Sequence, residues 1–186
     1  MGRLIATMLC SLDGYSEDAD GAFDWSAPDE EVHGFINDRY REVGTFLYGR
    51  RMYETMQVWE TDFAGPEQPP LMQDYAQQWI AAEKIVYSST LPEVTTTNTR
   101  LERSFDPDDV RALVAASDRD VSVSGPHLAR SAFAAGLVDE IGIFITPVIM
   151  GGGTRFLPDD IRLDLELIEE QRFSGGVVFV NYRVTR

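Results

Sequence analysis

The chain has 186 residues, with 16 basic against 31 acidic side chains, a formal charge of −15, 44% hydrophobic residues and a single cysteine. A chain of this length forms one domain, residues 1–186, whose folding removes roughly 70% of the unfolded surface from water, so it needs neither disulfides nor a structural metal. Cys10 has no partner for a disulfide framework and suits a reducing cytoplasm; the negative charge opposes nucleic-acid phosphates, and no apolar run nears the ~20 residues of a membrane helix.

In chain order, the β-rich run Leu4 to Leu9 reads as a buried strand ending at the turn signal Asp13-Gly14. Past a loop from Tyr15 to Ala27, Pro28-Asp29-Glu30-Glu31 opens a helix, with acids in the first turn where the dipole favours them. Val32, Phe35, Ile36, Tyr40 and Val43 continue it at helical spacing. Thr45 to Tyr48 is the next strand, joined by Gly49-Arg50-Arg51 to a short helix through Met52, Tyr53 and Met56. Asp62 to Pro70 is a proline- and acid-rich loop; the stripe Leu71, Met72, Tyr75, Ala76, Trp79 and Ile80 predicts a helix, and Lys84 to Tyr87 a strand ending at Ser88-Ser89.

Val94 to Arg103 is threonine-rich and predicted extended, and Asp106-Pro107 starts a helix carrying Val110, Leu113 and Val114. Val121 to Ser124 is a strand, Gly125-Pro126-His127 a tight turn into a helix, and Ile141 to Met150 a long β-branched strand leaving through Gly151-Gly152-Gly153. Leu163, Leu165 and Leu167, then Val178, Val180, Tyr182 and Val184, alternate with polar side chains as an antiparallel hairpin at the sheet edge. Alternating strands and helices point to an α/β fold with a mostly parallel sheet.

Two histidines 94 positions apart and one cysteine make no zinc pattern, so no metal is expected; no G-x-S-x-G elbow, P-loop or G-x-G-x-x-G fingerprint occurs. Three strand-to-helix stretches remain. Gly49-Arg50-Arg51 offers two guanidinium ions to a phosphate, or is a solvated basic pair among acids. Ser88-Ser89 offers hydroxyls suited to a ribose phosphate, or is a polar strand end. Ser124 to Ala129 combines a glycine with a helix start that favours an anion, or is a proline-capped helix start.

With these stretches in place, the sequence resembles the dihydrofolate reductase-like superfamily, specifically the RibD C-terminal domain, the reductase half of the riboflavin-biosynthesis deaminase-reductase. The resemblance runs from Met8-Leu9-Cys10-Ser11-Leu12-Asp13-Gly14 through Leu47-Tyr48-Gly49-Arg50-Arg51-Met52-Tyr53-Glu54 and Ala135-Gly136-Leu137-Val138-Asp139-Glu140 to Thr146-Pro147-Val148-Ile149-Met150-Gly151-Gly152-Gly153. It implies a dihydrofolate reductase-like α/β fold with helices on both faces of a central, mostly parallel sheet, and NADPH across the strands' C-terminal ends.

Carried over by position, Gly49, Arg50 and Arg51 meet the adenosine phosphates and favour NADP over NAD, and Ser88 and Ser89 make a second contact to that end. Ser124, Gly125, Pro126, His127, Leu128 and Ala129 wrap the pyrophosphate, with Gly152 as a further cofactor contact. Pro126 removes one N–H from that segment, and Met52 replaces a threonine common in relatives.

At the substrate end, Asp13 corresponds to the family's Ser-Leu-Asp-Gly aspartate near the nicotinamide, or is a turn aspartate; Glu30 is a second candidate carboxylate, or an ordinary first-turn acid. Tyr15, Trp25, Met150 and Gly151 are expected to shape an apolar pocket for a planar ring.

The implied function is an NADPH-dependent reductase of a C=N or C=O bond in a small pterin-like or pyrimidine-like molecule. The alternative is a non-catalytic NADP(H)- or small-molecule-binding protein. These 186 residues hold no zinc deaminase pattern, and the single lysine, Lys84, leaves few basic groups for a phosphorylated substrate. A cytoplasmic homodimer is expected, with no nucleic-acid or membrane partner.

Overall fold

The structure, a computed structural model, describes residues 2–185. Its organising strand is β1 (Leu4–Ser11), which sends Leu4, Ala6 and Cys10 into one core and Ile5 and Leu9 into another. A strand buried on both faces needs an unbroken apolar run. Thereafter the chain forms β2 (Tyr15–Glu17), α1 (Glu30–Tyr40), β3 (Val43–Gly49), α2 (Arg50–Met56), α3 (Val58–Thr61), α4 (Pro70–Ala81), β4 (Glu83–Tyr87) and β5 (Thr99–Glu102). It continues through α5 (Pro107–Ala116), β6 (Asp120–Ser124), α6 (Pro126–Ala134), β7 (Glu140–Thr146), β8 (Thr154–Arg155), β9 (Asp164–Arg172) and β10 (Val178–Thr185).

Eight strands form one sheet in the order β5-β4-β3-β6-β1-β7-β10-β9. The six from β5 to β7 pair in parallel, and β10 joins antiparallel to both β7 and β9. α5 and α6 close one face over Leu47, Ile85, Val121 and Val123, with Val110, Leu128, Ala132 and Phe133 supplying the helical side. α1 and α4 close the other face through Val32, Ile36, Tyr75 and Trp79 against Phe46, Tyr48 and Val86. No helix among the described residues is long and apolar enough to cross a membrane.

Local chemistry explains the helix starts. Asp29, not Pro28, caps α1, its carboxylate accepting from the Val32 amide at 2.9 Å. The lone lysine does structural work at the other end of a helix. Lys84 is fully buried and donates to the Trp79 and Ala82 carbonyls at 2.7 and 2.9 Å, and burial pulls its pKa down to about 8. It caps the C-terminus of α4 and is engaged in the core.

Three expectations need correction. The strand expected from Ile141 to Met150 ends at Thr146, because Pro147 has no N–H to continue a ladder. Of the segment expected extended from Val94 to Arg103, only Thr99–Glu102 pairs, after Asn98 takes a left-handed φ of 51°. A two-stranded sheet of β2 and β8, absent from the sequence reading, ties the loop after β1 to the segment after the glycine run.

Candidate functional site

Because the strands from β5 to β1 are parallel, their C-terminal ends open on one side, where ligands of open α/β sheets bind. A cavity of about 840 Å³ lies there, within the range of ligand sites. Its lining runs from Arg103, just past β5, across Tyr87 at the end of β4 and Ser88 after it, Gly49 of β3 and Gly125 after β6 to Met8 and Leu9 of β1. Four strand spacings separate the extremes, roughly 19 Å, which calls for an elongated ligand.

One end is aromatic and polar. Tyr87 and Phe105 meet edge to face at 5.4 Å beside Ser88, Ser89 and Ser104. The Ser88 hydroxyl accepts from the Leu91 amide at 3.0 Å, which fixes the turn after β4 and leaves its own O–H to donate. Arg103 donates to the Leu91 carbonyl at 2.6 Å and the Pro92 carbonyl at 3.2 Å, so a guanidinium is held at this end by neutral partners. Neither Arg103 nor the Tyr87–Phe105 pair was marked in the sequence reading; the only local signal was an arginine beside an aromatic after the threonine-rich segment.

The middle carries two more guanidinium groups. Arg50 pairs with Glu54 at 2.8 Å on its own helix and donates to Thr90 Oγ1 at 3.2 Å; Arg51 reaches Glu17 at 3.3 Å. Opposite them α6 begins at Pro126 behind its N-cap Gly125, whose φ of +95° strains any other residue and where a Cβ would stand a tight 3.1 Å from the Met52 Cβ. The first amides of α6 lack helical acceptors and favour an anion. The far end is apolar, with Met8, Leu9 and Phe23.

Aromatic surface at one end, cations and helix amides in the middle and an apolar floor at the other fit a dinucleotide such as NADPH. Of the expected cofactor contacts, Gly49, Arg50, Arg51, Ser88, Ser89, Gly125, Pro126, His127 and Leu128 line the cavity. Ser124, Ala129 and Gly152 do not: Ser124 is buried, and Ala129 belongs to the core face of α6.

The expected substrate-side residues lie elsewhere. Asp13 accepts from the Met150 amide at 3.1 Å and the Gly151 amide at 2.8 Å, so both carboxylate oxygens clamp the loop after β7. The Ser11 hydroxyl, with those amides, holds its carboxyl down at about 2. Glu30 is exposed at the first turn of α1, and Trp25 is turned back onto the Ala22 carbonyl by its ring N–H. Tyr15 stacks under the Arg155 guanidinium at 4.6 Å and faces a separate recess of about 390 Å³ with His127 and Arg130. Met150 and Gly151 are spent on the Asp13 clamp, and the carboxylates that line the main cavity are Glu17 and Glu54. Among the described residues no His, Cys, Asp or Glu cluster is arranged to hold a metal ion.

Comparison with known proteins follows the same outline. The RibD C-terminal domain family profile matches residues 3–179. An uncharacterized protein of Bacillus subtilis strain 168, YyaP, is 28% identical over 182 residues, covering 97% of this chain and 94% of its own. A pyrimidine reductase-like protein from Corynebacterium diphtheriae superposes with a TM-score of 0.66 at 15% identity, over 100% of this chain and 92% of that one. A Thermotoga maritima diaminohydroxyphosphoribosylaminopyrimidine deaminase/5-amino-6-(5-phosphoribosylamino)uracil reductase superposes with a TM-score of 0.66 at 13% identity, covering 99% of this chain but 57% of that longer one.

Proposed function

Because the chain belongs to the RibD C-terminal domain family, we propose that it is an NADPH-dependent reductase acting on a C=N or C=O bond of a small heterocycle, pterin-like or pyrimidine-like. The observation that carries this reading is the cavity across the strand ends, with guanidinium groups at its middle and an apolar floor at β1. NADPH, when bound, supplies the hydride. The chain's part is binding and orientation. Arg50, Arg51 and the first amides of α6 hold phosphates; Tyr87, Phe105, Ser88, Ser89 and Arg103 receive the adenosine end; Met8, Leu9 and Phe23 exclude water at the other. The names of the Corynebacterium and Thermotoga relatives favour a pyrimidine-like acceptor. The commitment of Lys84 to the α4 carbonyls favours one without a phosphate.

One observation favours the second reading, an NADP(H)-binding protein without turnover: Asp13 and Glu30 lie away from the cavity. The two readings separate in one experiment. NADPH binding is followed by nicotinamide fluorescence and its oxidation by absorbance, against dihydrofolate and a panel of heterocyclic imines and ketones. The reductase reading expects binding and oxidation with at least one acceptor; binding with no oxidation across the panel supports the second. Asp13→Asn, on the clamp geometry, lowers the unfolding midpoint and leaves both NADPH affinity and hydride transfer per folded molecule intact. A fall in transfer of ~10²-fold or more would return Asp13 to the chemistry.

We propose in addition that the protein is a homodimer. Leu165 and Leu167 are 42% and 47% exposed on the edge strand, opposite Val184 and Tyr182 on the same face of the hairpin, whereas α6 packs over β3 and β6. An apolar sheet face left open in this way is suited to a second copy. Light scattering at micromolar concentration is expected to give twice the 20.9 kDa chain mass, and the single-chain mass would contradict it.

A further inference from the structure

We propose that Glu17 competes with the bound dinucleotide for Arg51, and so determines how strongly the site demands a phosphate. The inference rests on the NADPH reading above. Glu17 ends β2 and lines the cavity; its Oε2 lies 3.3 Å from Arg51 Nη2 and accepts from Thr154 Oγ1 at 3.2 Å. Its side chain is 17% exposed against 62% for Arg51, so the carboxylate is fixed from β8 and the guanidinium is the mobile partner. The same loop passes over Arg51 a second time, since a Cβ on Gly21 would stand 3.2 Å from Arg51 Nη2.

Arg50 provides the contrast. Its acid, Glu54, sits one turn on along α2 and moves with it. The acid on Arg51 comes from a different segment, so ligand binding at Arg51 has to act against the β2 loop. A phosphate offers a guanidinium two short parallel hydrogen bonds, which a single carboxylate contact at 3.3 Å does not match. A phosphate that takes Arg51 nonetheless enters beside the Glu17 charge, which either turns away or repels it. Glu17 therefore lowers affinity for every phosphate at Arg51 and rejects ligands too weakly charged to displace it. Half-exposed ion pairs contribute modestly, so the expected size is severalfold.

The test is a set of NADPH and NADH affinities by nicotinamide fluorescence on wild type, Glu17→Gln, Arg51→Gln and the double variant, each checked for its melting transition. Glutamine keeps an acceptor for Thr154. Glu17→Gln is expected to tighten NADPH roughly three- to tenfold, and the same change made on Arg51→Gln to have less than about a twofold effect. Tightening of NADPH alone assigns the competition to the 2′-phosphate; equal tightening of NADH assigns it to the pyrophosphate, and either supports the proposal. Glu17→Asp, which keeps the charge but withdraws it from Arg51, is expected to act in the same direction and serves if the glutamine variant folds poorly. Unchanged or weaker NADPH binding in both Glu17 variants, with wild-type binding intact, overturns the competition and leaves the reductase reading standing. Equal tightening with and without Arg51 also overturns it, as a general charge effect. Absence of NADPH binding in every variant overturns the reductase reading, and this inference with it.

Discussion

Replacing both Arg50 and Arg51 with glutamine is expected to weaken NADPH binding by ~10²-fold and to erase the preference for NADPH over NADH. Each charge-assisted hydrogen bond to phosphate is worth about 1.5–3 kcal/mol. Each guanidinium is already engaged in the free protein, Arg50 with Glu54 and Arg51 with Glu17, and loosening such pairs offsets up to about 1 kcal/mol apiece. With the full offset the balance for two arginines is about 1–4 kcal/mol, roughly 5- to 700-fold in affinity. NADH, lacking the 2′-phosphate, loses less. Fluorescence titration with both cofactors checks this, and a wild type that binds the two equally would remove the 2′-phosphate assignment. Arg103→Gln then tests whether the guanidinium past β5 shares that contact.

The second large effect is expected at one glycine. A Cβ on Gly153, where φ is +127°, would stand 2.0 Å from the Glu17 carbonyl oxygen and 2.8 Å from the Asp18 Cα, both backbone atoms that cannot step aside singly. The backbone strain alone is about 1–3 kcal/mol, and the overlap forces β2 away from β8. Gly153→Ala is therefore expected to lose about 3 kcal/mol, a fall of roughly 6–12 °C in unfolding midpoint for a chain of this size. It also draws Glu17 off Arg51. Gly152 has open space around it and no left-handed φ, so Gly152→Ala is expected to melt as wild type. Calorimetry on the pair checks the contrast. A Gly152→Ala variant of normal stability but weakened NADPH binding would restore Gly152 as a cofactor contact.

Much of this molecule was legible from the sequence because the signals were local. Apolar alternation marked β9 and β10, helical spacing marked α1 and α4, and Asp106-Pro107 marked α5; the resemblance carried by four motifs supplied the dihydrofolate reductase-like fold. Gly49-Arg50-Arg51 and Ser88-Ser89 follow strands directly, so parallel pairing alone brings them to one side of the sheet. Pro147 was equally local, but its missing N–H was outweighed in reading by the β-branched run before it.

Only the tertiary structure decided the rest, because it depends on contacts far apart in sequence. Asp13 meets Met150 across 137 positions, and those two amides turn a candidate acid into a clamp. Glu17 reaches the cavity because β2 pairs with β8, a pairing of three residues with two that leaves no periodic trace. Arg103, Tyr87 and Phe105 converge because β5 lies beside β4 at the sheet edge. Periodicity and turn chemistry report what a residue does to its own backbone, and so determined the elements and their order. Which carboxylates face the cavity is a matter of where the loops cross it, and the fold alone determines that.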